Sequence, residues 1–394
     1  MIRVGFWYDY GIEYSGGLNY FRNLLYAISI ANKNNIQPLV FFGTDIDKRI
    51  INEFSQYATV IQTSVLTRNT LPWLFHRTLY KLFDSQFMVD TVLKKHGISV
   101  VSHASMVSGK KKPYRIIMWI ADFQYLHLPN FFPGLDVDKK TKQLNKVIAE
   151  SDVVVLSSFD ALSDFKNITP EKLTQKGRVL QFVSQPSSSY VSKTNSSRTY
   201  LEEKYKFSGK YFFLPNQFWR HKNHQTVFEA VHLLKEKGKN VQIICTGWLS
   251  EHGFKKSDYI SNLIDFIDEN DLQENIKILG SIDYIDVLSL SRHSIAVINP
   301  SRFEGWSSSV EEAKSIGKPV ILSNINVHIE QNPEFGVYFD PNNKLELSNI
   351  LEKSWDAWQD DVNLVIECGA REKLHKRTLE FGKKYLQIID ELKL

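Results

Sequence analysis

Cysteine is almost missing from this chain. Only Cys245 and Cys368 occur in 394 residues, too few for a disulfide framework, and with no C-x-x-C and no His-rich partner they close no structural zinc site. That usage fits a reducing compartment. Long apolar runs are missing too: no stretch approaches the roughly 20 residues that cross a bilayer. Met1 leads directly into the strand-like Arg3–Tyr8, with no charged n-region, apolar core and cleavage site, so the expectation is of a cytoplasmic chain, neither secreted nor membrane-integral. A hydrophobic share of 43%, with 23% charged and 13% aromatic residues, excludes wholesale disorder, a collagen-like fibre and a solvating acidic tail. No short fixed-period repeat points to a solenoid. No G-x-G-x-x-G fingerprint follows a strand pattern, which counts against a nicotinamide enzyme.

What is present is length enough for two cores, and an uneven distribution of charge. The formal net charge is only +4, yet residues 1–185 hold 22 Lys+Arg against 15 Asp+Glu, while the remainder holds 26 against 29. A basic N-terminal half either faces an anionic partner, such as a membrane surface or a charged ligand, or is a solvated face; charge alone leaves both open.

Strand-like runs rich in β-branched and aromatic residues recur at Val4–Tyr8, Pro38–Phe42, Thr59–Thr63, Ser99–Ser102, Arg115–Ile120, Asp152–Ser157 and Val179–Val183, separated by helical spacing such as Phe21, Leu24, Leu25 and Ile28. Ser184–Ser197 then concentrates Ser, Pro and Asn, which is linker chemistry. Beyond it the alternation restarts through strands at Tyr211–Leu214, Val241–Thr246, Ile276–Leu279, Ile295–Asn299 and Val320–Ser323, with helical patterns between. The expected fold class is α/β: two Rossmann-like, doubly wound domains facing a central cleft. The expected boundaries are 1–185, a linker at 186–198, 199–370, and a C-terminal helix at 371–394 that packs back on the first domain.

The segment 299–323, NPSRFEGWSSSVEEAKSIGKPVILS, carries the most chemistry. A strand ends at Asn299-Pro300 and a helix starts near Ser308, whose spacing to Glu311 matches a capping box; Gly317 and Pro319 end it. The loop Phe303–Ser307 therefore stands at a helix N-terminus, where free amides and the helix dipole favour phosphate. Two carboxylates, Glu304 and Glu312, would repel a bare phosphate but accept hydrogen bonds from sugar hydroxyls, so the pattern suits a nucleotide sugar. A dipole partner at Glu312 and a surface residue at Glu304 is the equally weighted alternative. Arg220 and Lys222 stand between the strand Tyr211–Leu214 and the helix after it; a solvated helix N-terminus is one reading, but cations are disfavoured there unless an anion meets them, which favours a ligand phosphate. Gly16 and Gly17 open the first helix and let backbone approach a ligand. Asp122 reads equally as a helix cap or as an acceptor-site residue. The pairs Asp45/Asp47 and Asp136/Asp138 read as solvated loops, with no third metal ligand. In Leu71–Phe87, Leu71, Phe75, Leu79 and Leu82 share a helical face; core packing is the favoured reading, and interfacial binding with Arg77 and Lys81 the other.

The stretch PSRFEGWSSSVEEAKSIGKPVI, with its E-x7-E spacing from Glu304 to Glu312, resembles the donor-binding motif of retaining GT-B glycosyltransferases of the "group 1", family 4 type. Further landmarks along nearly the whole chain fall in that family's order. The resemblance implies that Glu304 touches the transferred sugar, Glu312 holds the donor ribose, and the amides of Gly305, Trp306, Ser307 and Ser308 bind its phosphates. Lys222 takes the family's lysine position beside the pyrophosphate, while Gln217 stands where an arginine is usual and Arg220 is the replacement charge; Gly16 and Gly17 lie over the donor phosphate. Ala121 occupies a position where many members carry histidine, leaving Asp122, with His103 and His127, as acceptor-side candidates.

The implied activity is transfer of a sugar from a UDP-, GDP- or dTDP-sugar to a hydroxyl acceptor with retention, without metal or other cofactor and without nucleic acid. The implied setting is assembly of surface polysaccharide or lipopolysaccharide O-antigen on a lipid-linked acceptor at the inner membrane face. A nucleotide-sugar 2-epimerase and an inactive nucleotide-binding homologue remain alternatives on the same architecture.

Overall fold

The computed structural model describes residues 1–9, 15–32, 35–104, 112–132, 134–186, 197–249, 258–358 and 364–393. The chain separates into two compact units, Met1–Val183 with Lys376–Leu394, and Ser184–His375. Most of the segment read as a linker lies outside the described residues, as does Tyr14 before the paired glycines.

Unit 1 contains strands β1 (Ile2–Trp7), β2 (Ile36–Phe42), β3 (Thr59–Gln62), β4 (Val100–Ala104), β5 (Arg115–Ile120), β6 (Val153–Leu156) and β7 (Gly177–Val179). Its helices are α1 (Ser15–Ala31), α2 (Lys48–Phe54), α3 (Leu71–Phe83), α4 (Phe87–Lys95), α5 (Gln124–His127), α6 (Val137–Glu150), α7 (Phe159–Ile168) and α8 (Glu171–Thr174). The strands form one parallel sheet in the order β3-β2-β1-β4-β5-β6-β7. All four residues of β6, Val153–Leu156, are buried, as expected of a strand covered on both faces. The strand expected over Val179–Val183 ends at Val179; Leu180 and Val183 stay buried, so the apolar run reports packing that continues after the ladder has stopped. Helix starts follow side-chain chemistry: Asp47, Thr70, Asp136 and Ser158 accept from backbone amides at the starts of α2, α3, α6 and α7. One aspartate of each D-x-D pair is thereby a helix cap.

Unit 2 contains β8 (Phe212–Leu214), β9 (Ile243–Cys245), β10 (Ile276–Ile278), β11 (Val297–Asn299), β12 (Val320–Ser323) and β13 (Gly336–Phe339). Its helices are α9 (Arg198–Tyr205), α10 (His224–Glu236), α11 (Asp258–Glu269), α12 (Tyr284–His293), α13 (Ser308–Ser315), α14 (Asn326–Gln331) and α15 (Lys344–Ala357). The second sheet is parallel in the order β10-β9-β8-β11-β12-β13. Alternate residues of β8 and the residue before it enter separate cores: Phe212 and Leu214 join Val227, Val231 and Ile260, while Tyr211 and Phe213 join Ile244, Val297 and Val310. The last helix, α16 (Leu364–Glu391), starts in unit 2 and ends in unit 1. Among the described residues no helix is long and apolar enough to cross a membrane.

Candidate functional site

In unit 2 the chain leaves β8 toward β9 and β10 on one side and continues from β11 toward β12 and β13 on the other, although β8 and β11 are neighbours. The loops after these two strands diverge at their carboxyl ends, where open α/β sheets bind ligands. Three bonds tie the loops together: Asn216 Nδ2 donates to Asn299 Oδ1 (3.1 Å), the Arg302 amide to the His221 carbonyl (2.8 Å), and Asn223 Nδ2 to the Pro300 carbonyl (3.0 Å).

Between them, Lys222 Nζ donates to Glu304 Oε1 at 2.7 Å. Ser301 Oγ reaches the same oxygen at 2.7 Å and Asn299 Nδ2 at 3.5 Å. Glu304 is 8% exposed. Burial by itself raises a carboxyl pKa; the Lys222 cation and its hydrogen bond, a further charge effect of His328 and the Ser301 hydroxyl outweigh it and hold Glu304 down at about 2. The carboxylate is thus ionised and clamped through Oε1, while Oε2 accepts none of the described bonds. The Lys222 ammonium spends one of its three protons on Glu304 and makes no other described hydrogen bond. Buried His328 places Nδ1 3.0 Å from the Ser323 carbonyl, and desolvation takes its pKa down to about 4, so the ring is neutral at pH 7 with no described partner for Nε2.

Glu312 lies one turn into α13 and accepts from Tyr284 Oη at 2.9 Å. The capping box expected at Ser308 is absent: Ser308 is the first helical residue, and the N-cap, Ser307, makes no side-chain cap bond. Ser307 Oγ instead accepts from Asn299 Nδ2 at 2.7 Å, and Glu311 binds Lys314 at 3.0 Å and Gln331 Nε2 at 3.2 Å. A buried carboxylate with a cation and an amide in reach satisfies itself there and does not fold back on the cap. Gln331 Oε1 also accepts from the Ser307 amide at 3.3 Å, while Gly305 and Ser308 donate their amides to no described group.

The other expected donor-side residues divide. Gln217 Oε1 accepts from the Trp248 amide at 2.7 Å, so it buttresses the end of β9. Gly247 is the position there that demands glycine: φ is +144° and a Cβ would strike the Asn216 carbonyl. Arg220 is exposed, its guanidinium 5.8 Å from the Tyr259 ring centroid; the structure brings Lys222, and not Arg220, to Glu304.

In unit 1, Gly16 and Gly17 lie in the first turn of α1, after the switch-point strand β1. Asp122 Oδ1 accepts from the Gln124 amide at 2.9 Å, a turn at the start of α5. His127 is exposed, with Nε2 2.7 Å from Asp164 Oδ2. His103, next to last in β4, has φ +58° and is fully buried; its Nε2 meets Tyr20 Oη at 2.7 Å and its Nδ1 meets Ser102 Oγ at 2.8 Å, while Ser102 accepts from Tyr385 Oη at 2.8 Å. Both ring nitrogens being engaged, His103 reaches an acceptor only through Tyr20 or Ser102.

Sequence reasoning passed over Asn299 and Ser301, which bond Glu304, Asn216, which bonds Asn299, His328, whose charge acts on Glu304, and Gln331, which bonds Ser307 and Glu311. Asn299 gave one readable signal, a polar residue ending an otherwise apolar strand; His328 and Gln331 lie too far along the chain for spacing to disclose them.

Comparison with known families matches residues 201–377 to the model described as "Glycosyl transferases group 1". No curated protein sequence matches the chain. Among solved structures, a glycosyltransferase from Rickettsia africae ESF-5 is 18% identical with TM-score 0.67, covering 99% of this chain and 98% of that one. A sucrose-phosphate synthase from Thermosynechococcus elongatus is 14% identical with TM-score 0.68, covering 99% and 100%. WaaG, a glycosyltransferase involved in lipopolysaccharide biosynthesis, is 14% identical with TM-score 0.56, covering 97% and 95%. These likenesses show the fold, two parallel-sheet α/β units of GT-B type. Residues 201–377, the stretch that matches the group 1 glycosyl transferase model, carry the Lys222–Glu304 pair and Glu312.

Proposed function

We propose that unit 2 binds a nucleotide diphosphate sugar at the β8/β11 switch point and that the chain transfers the sugar to a hydroxyl acceptor with retention of configuration. The observation that carries this reading is the Glu304 clamp: one carboxylate oxygen is held by Lys222 and Ser301, and the other is left to accept from a ligand hydroxyl. Lys222 keeps protons for the leaving diphosphate, whose negative charge grows as the glycosidic bond breaks; a fixed cation stabilises that transition state. Amides of Gly305 and Ser308 at the start of α13 supply further donors for phosphate, and Glu312 suits the ribose diol. With this cation and helix start the reaction needs no divalent metal. The attacking hydroxyl gives its proton to the leaving phosphate on the same face, so no strong enzymic base is required, in keeping with Ala121 and with Asp122 serving a turn. The acceptor is a lipid-linked glycan of surface polysaccharide assembly, met peripherally at the inner face of the cytoplasmic membrane.

The test begins with a thermal-shift screen against UDP-, GDP-, dTDP- and CMP-sugars, because a ligand of the folded state raises stability by RT ln(1 + [L]/Kd). The stabilising donor is then incubated with and without hydroxyl acceptors in chelator, and the anomeric configuration of the product is read by NMR. A retained glycoside formed only with acceptor and in chelator is the expected result. A new sugar nucleotide formed without acceptor indicates epimerisation, binding without turnover an inactive homologue, and an inverted or metal-dependent product a different mechanism.

A further inference from the structure

Helix α3 turns its apolar stripe away from the protein. Leu71, Leu74, Phe75, Leu82 and Phe83 are exposed, Leu71 to 83% and Phe83 to 71%, and exposed Phe87 at the start of α4 extends the patch. The other side of α3 carries buried His76 and the half-buried Trp73 and Tyr80, and Leu79, on the stripe itself, is half-buried. The core packing expected for Leu71, Phe75, Leu79 and Leu82 is therefore corrected: Trp73, His76 and Tyr80 anchor the helix, Leu79 is half-buried, and Leu71, Phe75 and Leu82 are left to solvent. Burying each Leu or Phe would be favourable, and six such side chains on one stretch of chain are not explained by scattered surface hydrophobicity.

Cations rim the patch. Arg68, just before α3, and Arg77 and Lys81 on it are exposed, and none of the three pairs with a described carboxylate. Within residues 68–95 the acidic residues are Asp84 and Asp90, and both are already bonded, Asp84 to Lys146 at 2.8 Å and Asp90 to Lys112 at 2.8 Å. The Lys146–Asp84 pair sets α6 beside the end of α3, and Lys142 and Lys139, about one and two turns back along α6, add exposed positive charge. An apolar stripe bordered by lysine and arginine is the arrangement of helices that lie in a bilayer interface, aliphatic and phenyl groups among acyl chains and cations on headgroup phosphates. A second copy of this chain would bring like charges together around the same patch, which disfavours self-association.

We propose that α3, with Phe87 and the basic face of α6, docks unit 1 on an anionic phospholipid surface. The proposal rests on the lipid-side part of the reading above and deepens it by naming the surface; donor binding is measured separately, so failure of either leaves the other standing. The experiment is co-sedimentation of the full chain with vesicles of phosphatidylcholine alone and of phosphatidylcholine mixed with phosphatidylglycerol, at low and high salt, beside a thermal-shift assay with donor. The parent should bind the mixed vesicles at least about tenfold more strongly, and salt should erase the preference. Leu82→Ser/Phe83→Ser should lose about tenfold or more in vesicle binding with an unchanged unfolding midpoint, since both side chains are exposed. Arg77→Glu/Lys81→Glu should lose the preference for phosphatidylglycerol. Equal binding to both vesicles, or unchanged binding by the serine variant, overturns the proposal. So does a concentration-dependent dimer that the serine variant abolishes while vesicles are ignored, which assigns the face to a second copy.

Discussion

At Glu304 two demands meet that only a buried ion pair satisfies together: the carboxylate must stay charged, and it must not move. Removing Lys222 leaves that charge uncompensated, and a broken buried pair typically costs about 3–5 kcal/mol. Lys222→Ala should therefore lower both the unfolding midpoint and turnover, the latter by about 10²-fold. The double variant Lys222→Ala/Glu304→Gln should regain stability without regaining turnover. Calorimetry beside single-turnover kinetics separates the two effects, and recovered turnover in the double variant would show that the pair is merely structural. Glu312→Ala behaves differently: losing a charged hydrogen bond worth about 1.5–3 kcal/mol should weaken nucleotide binding about tenfold or more in titration calorimetry, with a smaller effect on the rate of bound donor.

Titration at single residues also sets the response to acid. Burial holds His103 at about 3 and His328 at about 4, against an ordinary value of 6.5. A folded pKa below the unfolded one means that the unfolded chain takes up protons first, so stability falls as pH drops below 6.5, by at most about 1.4 kcal/mol per pH unit for each histidine. Glu304 adds its loss only later, between 4.5 and about 2. Urea midpoints should hold from pH 7.5 to about 6.5 and decline from there to pH 5, and His103→Gln should flatten the decline. A midpoint independent of pH across that range would contradict the neutral burial of these rings.

At the scale of elements, α16 shows why helical pattern and propensity do not suffice. Its C-terminal part belongs to unit 1, where Tyr385 and Ile389 are buried and Tyr385 bonds Ser102. Gly382 permits the approach: a Cβ there would collide with the Ala27 carbonyl of α1. Gly→Ala in an exposed helix ordinarily stabilises by about 1 kcal/mol. Gly382→Ala should do the reverse and lower the unfolding midpoint of the full chain; an increase would mean that α1 and α16 are not in contact in solution. The strands and most helix starts were legible because β-branched runs and Asp, Ser or Thr caps act over a few residues. The face of α3 was not. Periodicity found its apolar stripe, but whether a stripe meets a sheet or solvent depends on the competing side, where Trp73, His76 and Tyr80 did the packing.

Over the whole molecule, the sequence alone determined the alternation of strand and helix, the position of the loop that carries Glu304 and its spacing to Glu312, since these follow from local propensity and short-range patterning. Lys222 was legible as a cation after a strand. Its pairing with Glu304 was not, because 82 residues separate the two and β8 and β11 become neighbours only in the finished sheet. Tertiary structure alone decided that Glu311 answers Gln331, and that His103 is sealed among Tyr20, Ser102 and the returning Tyr385. In each case the deciding energy is desolvation. A buried charge or ring nitrogen takes whatever partner the fold brings within about 3 Å, and that partner comes from an element whose position no local pattern encodes.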